Sequence, residues 1–332
     1  MIISWNVTKT CNLKCKHCYR DAGLRDPQEL SSEEARGLIS EIAAAGFKIL
    51  ILSGGEPLMR KDIYDLITFA AASGVRPVLG TNGTLIDREA ARHLKKAGAV
   101  RIGISLDSVN ASVHDEFRQE TGAWEKTVNA MKICASEGLD FQVHTTLTKY
   151  NSKEIESITD FVAAAGSRAH HIFFLVPTGR GKDITDVCLD ESEYKRVLTA
   201  ILKKQQKIPM ELKPVCAPQF IPLAREMGMD LRFQRGCLAG ISYCCILPNG
   251  DVHPCPYMPV RLGNVREMPF SVLWKTNHVF RDMRSLEYKG RCGVCVYKDV
   301  CGGCRARAFH LSGDYMAQDP DCFCCKVTTE HG

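Results

Sequence analysis

A repeated strand-then-helix pattern fills the first 175 residues and limits the folds open to this chain. Six short apolar runs are typical of buried strands, at residues 3–8, 47–52, 75–79, 99–105, 140–146 and 169–175. Amphipathic stretches at helical spacing lie between them, at residues 32–45, 62–73, 87–97, 123–137 and 152–165. Strands that alternate with helices predict a parallel sheet, and six such units are too few for a closed eight-stranded barrel. We therefore predict an α/β fold built as a partial (β/α)6 barrel, with the reactive residues in the loops that follow the strands.

The pattern changes after Pro177. Residues 178–182 have the composition of a loop, and residues 191–206 and 218–227 have helical periodicity. From Arg235 onward the chain is rich in Gly, Pro and Cys with little regular pattern, which is typical of a fold held together by metal rather than by an apolar core. We therefore predict three segments: the partial barrel at 1–180, a helical bridge at 181–234 and a small, irregular, Cys-rich domain at 235–332.

Composition excludes several classes of protein. The 332 residues are 45% hydrophobic and 24% charged, which excludes disorder. No apolar run reaches the roughly 18 residues needed to cross a bilayer, and residues 1–6 do not resemble a secretion signal. The net charge of +5 comes from scattered Lys and Arg, so small anionic ligands fit this chain better than nucleic acid does. We expect a cytoplasmic protein with no membrane span and no nucleic-acid partner.

The 17 cysteines are clustered, with three in residues 11–18 and thirteen of the other fourteen beyond residue 187. Because thiols stay reduced in the cytoplasm, such clusters indicate metal binding rather than disulfides. Cys11, Cys15 and Cys18 form a CxxxCxxC loop directly after the first predicted strand. Three thiolates can hold a four-iron cluster and leave one iron open for a substrate or cofactor. Zinc is the alternative, but its fourth ligand would be His17, which is awkwardly placed beside Cys18.

A second motif, Gly54-Gly55-Glu56-Pro57, follows the second predicted strand. Together with the CxxxCxxC loop, it resembles the radical S-adenosylmethionine (SAM) superfamily over residues 1–175. The resemblance implies a [4Fe-4S] cluster that binds SAM and, once reduced, cleaves it to a 5′-deoxyadenosyl radical. It also implies that the two glycines let backbone groups approach the methionyl amino group, and that Glu56 supplies negative charge beside that cation. Further SAM contacts implied by position are Asn82, Ser105, Asp107, Leu175 and, at the methionine carboxylate, Arg118.

The C-terminal cysteines are similar in spacing to the SPASM extension of radical SAM enzymes, which holds two auxiliary iron–sulfur clusters. Cys237-x12-Gly250-x4-Cys255 is followed by Cys292-x2-Cys295-x5-Cys301-x2-Cys304 and then by Cys322. The interval before Cys304 is one residue shorter than in the usual pattern. Zinc ribbons are the alternative for this array.

The same resemblance implies a division of these ligands between the two clusters. Cys292, Cys295, Cys301 and Cys322 would hold the more distal cluster. Cys237, Cys255 and Cys304 would hold the other, with Cys216 or Cys244 as the fourth ligand, Cys245 behind them, and an open position as a further alternative. Cys134 is expected in the core, and Cys324 and Cys325 are expected to be surplus thiols.

Four segments resemble the alternative heme and heme d1 biosynthesis branch more closely than the superfamily at large: residues 4–8, 18–23, 170–181 and 301–307. That resemblance implies an acidic iron tetrapyrrole derived from siroheme as the substrate. The reaction it favours is oxidative decarboxylation of two propionates of iron-coproporphyrin III to vinyls, which gives heme b. Related side-chain removal in a didecarboxysiroheme or heme d1 step is the near alternative. A SPASM peptide-modifying enzyme and an electron-transfer protein are the more distant ones.

Cations are expected to bind the substrate carboxylates, because a guanidinium pairs with a carboxylate bidentately. The candidates are Arg180, Lys182, Arg235, Arg305 and Arg307, although each also fits a solvated surface charge. His170 and His171 are weaker candidates for the tetrapyrrole iron, since core positions suit histidines in a strand. The one-electron chemistry further implies a flavodoxin- or ferredoxin-type electron donor.

Overall fold

The computed structural model describes residues 1–326 of the chain. Ten strands within this part of the chain form one sheet. Its strands are β1 (Ile2–Thr8), β2 (Ile49–Gly54), β3 (Arg76–Thr81), β4 (Arg101–Ser105), β5 (Phe141–Leu147), β6 (Ala169–Phe174), β7 (Glu211–Val215), β8 (Tyr243–Ile246), β9 (Asp251–His253) and β10 (Gly263–Asn264). Within the described residues their order is β10-β9-β8-β1-β2-β3-β4-β5-β6-β7. The strands from β8 through β7 pair in parallel, whereas β9 and β10 pair antiparallel. The predicted α/β fold with a parallel sheet is confirmed.

Helices follow the strands and cover the sheet. In the barrel they are α1 (Ser32–Ala44), α2 (Ile63–Ala72), α3 (Arg88–Ala97), α4 (Ala111–Arg118), α5 (Ala123–Ser136) and α6 (Ile155–Ala164). Ser31 and Glu34 form a reciprocal capping box that starts α1, and Gly98 ends α3 in a left-handed conformation that glycine adopts without strain. Of the described helices, none has the length and apolar character that crossing a membrane requires.

Strand β1 shows how the sheet separates a core face from a functional face. Ile3, Trp5 and Val7 are fully buried in the apolar core. Asn6 and Thr8 alternate with them and line a cavity on the other face. Because successive side chains of a strand point to opposite faces, a polar residue at every second position of β1 places hydrogen-bonding groups inside the barrel.

The bridge segment contains one element that the sequence analysis missed. It holds α7 (Glu191–Gln205) and α8 (Phe220–Glu226) near the predicted positions, and between them β7. Lys213 and Pro214 interrupt the apolar pattern of β7, and proline is tolerated there because β7 is the edge strand of the sheet. The predicted loop at 178–182 is also corrected, since a 3₁₀ helix at Gly179–Val187 occupies it.

The C-terminal segment is joined to the barrel by the sheet itself. β8 pairs in parallel with β1, from Ile2 opposite Tyr243 to Trp5 opposite Ile246. The remaining helices of this segment are α9 (Phe270–Thr276), α10 (His278–Ser285), α11 (Gly290–Gly293) and α12 (Arg305–Ser312). Two aromatic rings of α9, Phe270 and Trp274, lie 5.4 and 5.1 Å from the ring of Phe47 in the barrel.

We expect a shortened chain of residues 1–234 to be far less stable than the full chain. Removing β8 leaves β1 as an unpaired sheet edge, and removing α9 exposes the Phe47 ring to water. Anaerobic thermal melts and size-exclusion chromatography of both chains measure this effect. A monomeric fragment that melts at the temperature of the full chain would contradict the expectation.

Candidate active site at the strand ends

The three cysteines of the CxxxCxxC motif lie in the loop that follows β1, and Arg180 holds this loop. The backbone N–H of Arg180 donates to Cys18 O at 2.9 Å. Its guanidinium donates to Cys15 O at 3.0 Å and to Ala22 O at 2.8 Å. Two of these three bonds come from the guanidinium that was expected to bind substrate, so we correct the role of Arg180 to one of supporting the cysteine loop.

Two thiols of this loop, those of Cys11 and Cys15, are protonated until metal binds. Burial raises the pKa of Cys11 to about 11 and also raises the pKa of Cys15. Iron binds thiolates, so cluster binding releases these protons. Arg118 lies near enough to stabilise a thiolate, with its Nη1 3.8 Å from Cys15 Sγ.

His17 does not join the three cysteines. Its ring stacks on Phe117 with the centroids 4.1 Å apart, and its Nε2 lies 3.9 Å from Asp107 Oδ2. The loop therefore offers three thiols without an imidazole, a donor set that fits an iron–sulfur cluster with one open iron better than it fits zinc.

Gly54 and Gly55 are required by the backbone of the cysteine loop. A Cβ on Gly54 would collide with Thr8 O, and a Cβ on Gly55 would collide with the carbonyl oxygens of Lys9 and Thr10. The N–H of Gly55 donates to Thr8 O at 2.8 Å. The sequence analysis expected these glycines to allow close approach to a ligand. The structure gives a second reason, which is close approach to the protein's own backbone.

The Glu56 carboxylate connects the strand ends. It is fully buried; Oε1 accepts from Thr81 Oγ1 at 2.8 Å and Leu58 N at 3.2 Å, and Oε2 accepts from Asn82 N at 2.9 Å. Burial raises its pKa to about 7. Glu56 thus caps the 3₁₀ helix that starts at Pro57 and ties it to the end of β3.

Asp107 and Arg118 form a buried ion pair after β4. Arg118 Nε donates to Asp107 Oδ2 at 2.7 Å, and Asp107 Oδ1 accepts from Thr146 N at 2.8 Å. Ser105 Oγ, on the last residue of β4, donates to Thr81 O at 3.3 Å. Arg118 was expected at the methionine carboxylate, and its guanidinium also has this internal carboxylate as a partner.

The two other predicted SAM contacts also lie near the cysteine loop. The Asn82 amide donates to Asn12 Oδ1 at 2.9 Å, and Asn12 belongs to that loop. Leu175, directly after β6, is half-buried and packs beside Gly181. The parallel strands thus gather the predicted residues at one end of the sheet.

A cavity of about 540 Å³ opens at this end, between the barrel and the C-terminal segment. The barrel lines the cavity with Asn6, Thr8, Gly54 and Gly55. The C-terminal segment lines it with Tyr257, Pro259 and Phe309. The rings of Tyr19 and Tyr257 lie 5.2 Å apart on its wall. Its volume and mixed apolar and polar lining are those of a small-molecule site.

The first C-terminal group of thiols consists of Cys216, Cys237, Cys255 and Cys304. A hydrogen bond with Cys304, together with burial, raises the pKa of Cys216. The same hydrogen bond lowers the pKa of Cys304 to about 7. Burial and the nearby Cys304 raise the pKa of both Cys237 and Cys255, and Cys237 also raises the pKa of Cys255. Cys244 lies apart from this group, in the core of β8 near Arg284.

The second C-terminal group of thiols contains Cys292, Cys295, Cys301 and Cys322. It also includes Cys324 and Cys325. Cys324 forms hydrogen bonds with Cys301 and Cys322, and Cys325 forms one with Cys295. The expectation that Cys324 and Cys325 are merely surplus is therefore corrected, because both lie against expected ligands. Within residues 1–326, no three Cys, His, Asp or Glu side chains converge on a position for a single metal ion, whereas a zinc ribbon gathers four around one ion.

Two family models match this chain. The Radical SAM superfamily model matches residues 5–162, and the SPASM model, an iron-sulfur cluster-binding domain, matches residues 237–305. An AdoMet-dependent heme synthase of Methanosarcina barkeri is 39% identical over 335 residues, which cover 97% of this chain and 95% of that relative. The chain belongs to the radical SAM superfamily. Its barrel therefore binds a [4Fe-4S] cluster and SAM, and its SPASM domain binds auxiliary iron–sulfur clusters.

Two further comparisons agree with this membership. An Fe-coproporphyrin III synthase, also of Methanosarcina barkeri, is 33% identical over 352 residues, covering 98% of this chain and 88% of that protein. The crystal structure of Streptococcus suis SuiB bound to S-adenosylmethionine superposes with a TM-score of 0.76 at 17% identity, over 97% of this chain and 77% of that one. This structural likeness confirms the radical SAM and SPASM architecture.

Two arginines that were expected to bind substrate, Arg305 and Arg307, have internal partners instead. Arg305, 1% exposed, donates to Tyr315 O at 3.1 Å and to Cys292 Sγ at 3.6 Å. Arg307 makes a bidentate pair with Asp319, with both distances 2.8 Å. Each guanidinium supports the SPASM cysteines from within the domain, so we correct both assignments.

Arg235 and the two histidines are also used internally. Arg235 donates to Cys237 O at 3.2 Å and Tyr288 Oη at 3.3 Å, so it too supports a cysteine. His170 is a core residue between two threonine hydroxyls. His171 faces the barrel interior, where it stacks on His144. Of the predicted substrate cations, Lys182 is the one that lines the cavity.

Sequence reasoning missed the residues that form the cavity wall, namely Lys9, Tyr19, Arg20 and Tyr257. Tyr19 and Arg20 directly follow Cys18, and Tyr257 lies two residues after Cys255. Neighbours of a metal ligand share its loop and therefore face the same space. Proximity to the cysteines was the signal that could have identified them.

We expect Arg118→Met to lower the free energy of unfolding by about 3–5 kcal/mol, because it leaves the Asp107 carboxylate buried without its partner. The double variant with Asp107→Asn is expected to recover part of that loss, since the pair is coupled. Anaerobic denaturant titrations measure both. Arg92→Met is the matched control, because Arg92 pairs with Glu137 at an exposed site, where ion pairs contribute little to stability. Losses that simply add in the double variant would contradict the coupling.

Proposed function

We propose that this radical SAM enzyme is a heme synthase, which converts two propionates of iron-coproporphyrin III to vinyls and so forms heme b. The observation that supports this most is the higher identity to the AdoMet-dependent heme synthase than to the Fe-coproporphyrin III synthase, each over nearly the whole chain. Both relatives are named for tetrapyrroles, so the substrate class has more support than the particular step. Side-chain removal on a siroheme-derived substrate is the second candidate, supported by that 33% identical relative.

The chemistry defines what the chain must provide. Each propionate loses one hydrogen atom, one CO₂ and one electron as it becomes a vinyl group. When bound, the cluster and SAM supply the radical that accepts the hydrogen atom, and an auxiliary cluster supplies an acceptor for the electron. The chain itself must hold a large polyanionic macrocycle in the cavity and keep water and oxygen from the radical. Tyr19 and Tyr257 offer aromatic faces for that macrocycle.

We infer the following ligand sets. Cys11, Cys15 and Cys18 bind the cluster that holds SAM, and Gly54 to Pro57, Asn82, Ser105, Asp107, Arg118 and Leu175 surround SAM. Cys216 completes the auxiliary set of Cys237, Cys255 and Cys304, because its thiol contacts Cys304, whereas Cys244 lies in the core. Cys292, Cys295, Cys301 and Cys322 bind the other auxiliary cluster.

Iron content tests these sets. We expect about 12 Fe per chain after anaerobic reconstitution, from three four-iron clusters, and a loss of about a third when Cys11, Cys15 and Cys18 are all changed to Ala. Cys216→Ala is expected to lower auxiliary iron and alter the auxiliary electron paramagnetic resonance signal. The matched control, Cys244→Ala, is expected to keep both. The reverse outcome for these two variants would overturn the Cys216 assignment.

The reductant follows from the cofactor. A [4Fe-4S] cluster accepts one electron at a time, so we propose a flavodoxin or ferredoxin as the donor, in the cytoplasm, where thiols stay reduced. The identity to two relatives named for tetrapyrroles, each over nearly the whole chain, supports the tetrapyrrole proposal over peptide modification.

Turnover tests the proposed reaction. With dithionite, SAM and iron-coproporphyrin III, we expect heme b together with about two equivalents of 5′-deoxyadenosine, one per vinyl. Cys15→Ala should abolish both products, because it removes a ligand of the cluster that binds SAM. Chromatography of the tetrapyrroles and of 5′-deoxyadenosine measures them in parallel. Consumption of didecarboxysiroheme with iron-coproporphyrin III left unchanged would favour the second candidate.

A further inference from the structure

Arg20 differs from Arg118 and Arg180 of the active site because no carboxylate of the described residues pairs with its guanidinium. It lines the cavity beside Tyr19, with its guanidinium carbon 5.5 Å from the centroid of that ring. Its Nη2 donates to Cys245 Sγ at 3.3 Å, and its Nε is shielded from solvent without a hydrogen-bond partner. A guanidinium has five N–H donors, so most of the capacity of Arg20 is unused by the described residues.

No carboxylate within residues 1–326 pairs with Arg20. The thiol of Cys245 is a weak acceptor, and that thiol also contacts Asn6 Oδ1 at 3.8 Å. By contrast, Arg118 and Arg307 each face a buried carboxylate. Partly burying a cation without an anion is costly, and a bound anion would remove that cost.

The cavity around Arg20 has a charge pattern that suits an anion. Lys9 and Lys182 line the same cavity, and neither pairs with a carboxylate of the described residues. Asp21 and Asp26 also line it, but Asp21 lies 3.4 Å from Arg180, and Asp26 accepts from Gln28 N at 2.9 Å. Among the described residues that line the cavity, three cations therefore face two carboxylates, and one of these two, Asp21, is already paired with Arg180.

We propose that Arg20 binds a carboxylate of the tetrapyrrole substrate and holds the macrocycle against the ring of Tyr19. This inference rests on the proposed function, and it replaces the arginines that the sequence analysis assigned to substrate. The planar guanidinium offers paired donors to a carboxylate, and the adjacent aromatic ring offers a face to the macrocycle. Arg20 would thereby select acidic side chains and set the orientation of the ring system.

The topology favours a substrate carboxylate over the carboxylate of SAM. Arg20 contacts Cys245 on β8, and β8 lies on one side of β1 in the sheet. The residues inferred to surround SAM follow β2, β3, β4 and β6, all on the other side of β1. The cavity extends from Gly54 and Gly55 across to Arg20, so a ligand at Arg20 lies beyond the SAM end.

Ligand titrations of the reconstituted holoenzyme test this proposal. The variants are Arg20→Gln and Arg20→Lys, with Arg92→Gln as the control, because Arg92 is an exposed residue of α3. Soret titrations give the Kd of iron-coproporphyrin III and of its methyl ester, in which no carboxylate is charged. Iron content and SAM affinity are measured on the same samples, so that a folding defect is detected.

We expect Arg20→Gln to weaken binding of the free acid by about 10- to 100-fold, while binding of the ester, SAM affinity and iron content stay at wild-type values. Arg20→Lys should recover part of the loss, since it keeps the charge without the bidentate geometry. Equal loss for acid and ester, unchanged binding of the acid, or a parallel loss of SAM affinity would each overturn the proposal. Absence of a Soret shift with the wild-type enzyme would overturn the proposed function itself, and this inference with it.

Discussion

The close backbone contact between the loop after β1 and the turn after β2 determines the geometry of the active-site end. Gly54 and Gly55 approach Thr8 and Thr10 more closely than any residue with a Cβ could. The next residue, Glu56, then enters the interior and accepts hydrogen bonds from the end of β3. The position of the cysteine loop therefore depends on a motif that provides no iron ligand. Two strand ends and one metal-binding loop form a single rigid unit through these contacts.

Most charged side chains around the cysteines serve this rigid frame rather than a ligand. Arg180 donates to the cysteine loop, Arg305 and Arg307 support the SPASM thiols, and Arg118 neutralises Asp107. Such pairs keep buried charges satisfied and hold the ligand loops at fixed positions before iron binds. Against this background Arg20 stands apart, because its Nε is shielded from solvent without a hydrogen-bond partner and its Nη2 has only a thiol, which is why Arg20 carries the substrate proposal.

Much of the fold could be predicted because its signals are local. The strands β1 to β6 and five of their helices follow from periodicity within a short window, and the cysteine motifs follow from spacing alone. β7 escaped prediction because an edge strand tolerates Lys213 and Pro214, and α4 because eight residues are too few to show a period. The roles of the arginines were predicted wrongly for another reason. The residue type shows that a charge is present, whereas the partner of that charge depends on how distant segments pack. Cys216 was left level with Cys244 because both are cysteines in apolar surroundings, and only the packing separates them.

The pairing of β1 with β8 has a consequence for biosynthesis. β1 is translated long before β8, its neighbour on one side, which lies near the start of the SPASM domain. On the ribosome, the amino-terminal half therefore waits with one sheet edge open while the bridge is made, and this open edge is a site for mispairing with other chains. Cys255 and every later auxiliary thiol are translated only after β8. Maturation thus has a built-in order in which the sheet can close before the SPASM thiols are all available to the cluster-assembly machinery.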